Sequence, residues 1–97
     1  MNNESLEFIW IFNGARSHLP SAAFVEMEKA VAWIAEHRLT GILTRYPVNT
    51  GLYEWAIRMG YFKPKREEHM SAGFIGTFTC ASLKHLHVED GIIESVL

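Results

Sequence analysis

The chain has 97 residues, 48% of them hydrophobic and 21% charged, with a formal net charge of −2. That is an ordinary globular composition on a chain long enough for a single domain over residues 1–97, and it excludes wholesale disorder or a core wrapped around a deep internal cofactor. One cysteine, Cys80, excludes an intrachain disulfide and a cysteine-rich zinc site, and is expected to be a small buried apolar residue.

No apolar run approaches the ~18 residues that a membrane helix needs. The polar, acidic start MNNESLE lacks the basic, apolar and small-residue parts of a secretory leader, so the expected location is cytoplasmic.

The first predicted element is a strand over Leu6–Phe12, LEFIWIF, ending at the turn signal Asn13-Gly14. Leu6, Phe8, Trp10 and Phe12 share one face and Glu7, Ile9 and Ile11 the other, and apolar side chains on both faces predict an interior strand. A second strand is predicted to return between about Pro20 and Val25, with Pro20 at its beginning or on an edge. Glu26–His37, EMEKAVAWIAEH, has strong helix formers and no Gly or Pro. Its spacing puts Met27, Ala30, Val31, Ile34 and Ala35 on the buried face, with Trp33 at the margin.

Thr40-Gly41 breaks that helix, and Ile42–Tyr46 reads as a strand. Pro47–Gly51 is a loop and Tyr53–Met59 a short helix with Gly60 as its C-terminal glycine. Tyr61–Pro64 is extended, and Lys65–Ser71 is an exposed connector. Phe74–Leu86 carries signals of both kinds: Gly76, Thr77 and Thr79 favour a strand or break, whereas Phe74, Phe78, Ala81, Ser82 and His85 line up on a helix. Length favours a helix from about Ala72 to His87, ended by Gly91. The closing IIESVL is apolar enough to dock or to fray. The expected fold class is α+β in two layers, a small sheet of about three strands with helices on one face, in the order β-β-α-β-α-α.

Five segments resemble a small bacterial family of unknown function: WIFNGARSHLPSAAF, EKAVAWI, LTGILTRYP, GLYEWAIRMGYFKPK and HLHVEDG. Together they cover most of the chain. The resemblance implies the strand–helix–strand order and brings no catalytic residue with it. Members of that family often carry Ser or Thr near the position of Val25 as a helix cap; here a cap of about 1 kcal/mol is missing or supplied otherwise.

Charge is unevenly spread. Arg38, Arg45, Arg58, Lys63, Lys65 and Arg66 fall in one stretch with a single acid, Glu54, and ten of the eleven acidic residues lie outside it. Aromatic residues interleave with these cations, a pattern that suits a protein or acidic-ligand surface anchored by Tyr, Trp and Arg, with Trp55 and Phe62 expected in the core instead. Arg45, Tyr53, Arg58, Lys63 and Lys65 are the expected exposed contact residues; the bland alternative is an ordinary mixed surface. Nucleic acid is a lesser alternative, because no RNP, helix-turn-helix or zinc-finger pattern is present and the pI is about 6.2.

His85, His87 and Glu89 are weak candidates for a metal site. A helix would turn the two histidines apart and a strand would put them on one face; the competing reading is a polar helix end. Ser17, His18 and Ser21 form no catalytic pattern, and no Gly-rich phosphate loop occurs. The expectation is therefore a small binding module with a protein partner, immunity-type or regulatory, without cofactor or catalytic residue. The alternatives are a small metal- or nucleic-acid-binding protein, or an enzyme whose site exists only in an oligomer.

Overall fold

In the computed structural model, which describes residues 7–94, the first strand β1 runs over Phe8–Gly14. Position 6 of the expected strand lies outside the described residues. β1 turns back into β2, Ala22–Phe24, with Trp10 opposite Phe24 and Phe12 opposite Ala22. Pro20 falls just before β2, where its missing N–H costs no ladder bond. The helix α1 spans Met27–His37 and leads into β3, Gly41–Pro47. At the ends of the β1–β3 ladder, Ala15 N–H donates to Thr40 O and Val48 N–H to Glu7 O, so the two strands run antiparallel.

Among the described residues the sheet has five strands, not about three, in the order β2-β1-β3-β4-β5. β4 is His85–Glu89 and β5 is Ile92–Ile93. The helix expected from Ala72 to His87 is overturned. Only Ala72–Gly76 is helical (α3), and the chain then extends into β4. Gly73 and Gly76 weaken the helix from within, and Thr77 and Thr79 follow at once. In β4 the alternation decides the outcome: Leu86 and Val88 point to the core, while His85, His87 and Glu89 take the other face.

Asp90 and Gly91 make the two-residue turn to β5, at φ 50° and 83°, the left-handed pair that a tight hairpin requires. That turn docks on the end of α1. Gly91 N–H donates to Leu39 O at 2.7 Å and Asp90 N–H to Thr40 Oγ1 at 2.9 Å. The observed order is β-β-α-β-α, a 3-10 turn, then α-β-β. The two-layer α+β class fits, with α1 packed on the sheet.

The chain divides into two compact units. The sheet unit comprises Phe8–Tyr46 and the described residues from Leu83 on. Its core is Phe12, Ala30, Ile34, Leu43 and Val88, with Trp10, Met27, Trp33 and Leu86 among the residues packed around it. Phe12 meets Trp33 edge-on at 5.7 Å. The helix phase therefore differs slightly from the expected one. Val31 is 40% exposed and Ala35 is also exposed, whereas Trp33 packs inward. Gly41 is set by close approach: a Cβ there would overlap the Asn13 carbonyl oxygen and lie 2.8 Å from Phe12 Cζ. No side chain caps the start of α1, where Glu26 stands at the N-cap and Val25 is exposed.

The helical unit comprises Glu7 and Pro47–Ser82 among the described residues. It holds α2, Leu52–Arg58, the 3-10 turn Glu67–Met70, and α3. Gly60 follows α2 at φ 83°, the left-handed setting expected of it. Ser71 caps α3, its Oγ accepting from Phe74 N–H at 3.1 Å. Cys80 is half-buried rather than buried.

Candidate functional site

Of the five expected contact residues, Arg58, Lys63 and Lys65 are exposed and belong to the helical unit. Tyr53 is not exposed. It keeps 8% of its surface and packs edge-on against Phe78 and Phe74, with Phe62 at 5.9 Å. A unit without a sheet of its own takes its apolar packing from these rings, which draws Tyr53 inward. Arg45 lies in the sheet unit, half-buried, with its guanidinium 3.9 Å from the Phe8 ring centroid. Its charge is thus already engaged in a cation–π contact.

An open hollow of about 410 Å³ lies in the helical unit, lined by Gly60, Tyr61, Phe62, Lys63, Lys65 and His69. The chain bends at Gly60, at φ 83°, and Lys63 and Lys65, on either side of Pro64, both border the hollow. Phe62 is fixed by ring contacts to Phe74, Phe78 and His69 at 5.7, 5.0 and 5.4 Å. Tyr61 stays half-exposed and touches Trp55 at 5.5 Å.

His69, expected only as part of a connector, proves central to this segment. Its Nδ1 accepts from Lys65 N–H at 3.0 Å and from Arg66 N–H at 3.4 Å. The ring also lies 4.8 Å from Phe74. Nothing in KREEHM signals that two backbone donors turn onto one imidazole; only the spacing of three and four residues hints at it. Among the described residues no ion pair engages Arg58, Lys63 or Lys65, and Arg66 reaches Glu68 at 3.3 Å.

His85 and His87 do share a strand face, with ring centroids 5.6 Å apart. His85 Nδ1–H donates to Leu83 O at 2.8 Å, which leaves the lone pair on Nε2. Glu89 takes the same face by alternation, yet among the described residues no three potential metal ligands gather into one group.

The model of one family, described as a domain of unknown function (DUF7710), matches residues 9–94, and the chain belongs to that family. No curated protein and no solved structure matches it. Among the described residues no helix is long and apolar enough to cross a membrane.

Proposed function

We propose that this member of the family is a small binding module that meets an acidic protein surface through Arg58, Lys63 and Lys65 of its helical unit. The observation that carries the reading is a set of exposed cations that have no ion-pair partner among the described residues, two of them, Lys63 and Lys65, lining a hollow with an aromatic wall. Unpaired surface cations are available to a partner without first breaking an internal contact. The Phe62 ring, held by Phe74, Phe78 and His69, also loses little freedom on binding. An immunity-type or regulatory protein that occludes its partner fits this chemistry, in the bacterial cytoplasm, and the proposal needs no cofactor. Binding of single-stranded nucleic acid has less support, because Tyr53, a natural stacking surface, is buried.

The test is capture from a lysate of the native host, with wild-type chain and a Lys63→Glu/Lys65→Glu variant compared side by side. The wild type should retain a protein with an acidic surface at low salt, and the double reversal should lose it. Equal recovery by both chains rejects the proposal.

A further inference from the structure

The two nitrogens of the His69 ring have their roles set by geometry. Nδ1 receives two backbone N–H groups, so it carries no proton. A neutral imidazole then holds its proton on Nε2. Nε2 lies 3.3 Å from Arg66 Nη2. A guanidinium has donors and no acceptor, so this edge presents two donors side by side. The common complement of two adjacent donors is an oxyanion, bound by charge-assisted hydrogen bonds. The direction of Nε2–H is held by the contacts of the ring with Phe62 and Phe74.

We infer that Arg66 and His69 anchor one carboxylate of an acidic segment of the partner, an inference that rests on the function proposed above. Glu68 supports a carboxylate. Its Oε2 already sits 3.3 Å from Arg66 Nη2, with both side chains about two-thirds exposed, 67% each. Such a surface pair exchanges readily. Glu68 therefore acts as an internal competitor for the guanidinium. Charge points the same way: Lys63, Lys65 and Arg66 against Glu67 and Glu68 leave one net positive charge over this segment, the complement of a monoanion.

The experiment titrates a hexa-aspartate peptide into isotope-labelled full-length chain and follows the His69 ring nitrogens with the Lys65 and Arg66 amides. Saturating shifts confined to residues 63–69 are expected. Arg66→Gln should weaken the peptide by about tenfold, the size of a hydrogen bond to a charged group, with an unchanged Tm. Glu68→Gln should tighten it about twofold, because the competitor is gone. Inorganic phosphate is titrated in parallel, and saturation below the peptide's concentration would overturn the carboxylate assignment. Shifts spread evenly over Arg16, Lys29 and Lys84, or wild-type affinity in Arg66→Gln, would overturn the anchor. In that case loss of partner by Lys63→Glu/Lys65→Glu still upholds the wider binding reading; retention by that variant ends both.

Discussion

In the sheet unit, Ile34 and Leu43 are wholly removed from solvent and belong to one cluster with Phe12, Ala30 and Val88. In the helical unit, Phe62, Phe74 and Phe78 pack ring on ring while each remains half-buried. The first arrangement depends on strand register and on a helix laid across it; removing a methyl group opens a hole. The second depends on Tyr53, Trp55 and Ala56 of α2, which are buried, and on ring contacts between short helices and extended chain. Such a unit can present Lys63, Lys65 and Arg66 outward without a regular element behind them. The difference is between a core set by register and a unit set by ring contacts, and the proposed contact residues belong to the second.

Gly41→Ala should be the most damaging change. The new methyl group meets the Asn13 carbonyl and the Phe12 ring in the middle of the sheet. A loss of more than about 3 kcal/mol is expected, because neither neighbour can give way cheaply. Denaturant unfolding that shows less than about 1 kcal/mol would mean that β1 and β3 do not approach this closely.

Ile34→Ala should cost roughly 2–4 kcal/mol, since the side chain is fully buried against the sheet. A cost below about 0.5 kcal/mol would place Ile34 outside the core and reject the helix phase.

Phe62→Leu keeps most of the volume but removes the ring contacts to Tyr53, Phe74, Phe78 and His69. It should cost about 1–2 kcal/mol, of which the aromatic geometry supplies most. A loss as large as that of Ile34→Ala would erase the distinction between the two units.

The smallest effect is a gain. Glu26→Ser supplies the cap that α1 lacks and should raise stability by about 0.5–1 kcal/mol. No gain in Tm would show that the start of α1 is already satisfied.

Most of the sheet unit was legible from residue pattern. The alternation of Trp10 and Phe12, and the spacing of Met27, Ala30 and Ile34, point to the faces that are in fact inward, whereas Phe8 carries the Arg45 guanidinium on its ring. What escaped was the end of the chain. Asp90-Gly91 between HLHVE and Ile92-Ile93 is a hairpin signal with β-branched residues nearby, but the helical spacing of Phe74, Phe78, Ala81 and His85 masks the strand that precedes it. The residues of IIESVL at positions 95–97 lie outside the described residues. The candidate site was legible only in part. Charge clustering pointed to Lys63 and Lys65, but residue type alone could not tell the buried Tyr53 from the exposed Tyr61. The role of His69 depends on a local fold-back that no periodicity encodes.

The central claim is that the cations of the helical unit make the partner contact. Once a partner is captured, its association rate with wild type and with an Arg58→Glu/Lys63→Glu variant should be compared at low and physiological salt. The account predicts fast, salt-sensitive association for the wild type, slowed by the double reversal at low salt while Tm stays the same. An association rate that is the same for both chains at both salt concentrations would contradict it, and would make these cations plain solvated surface.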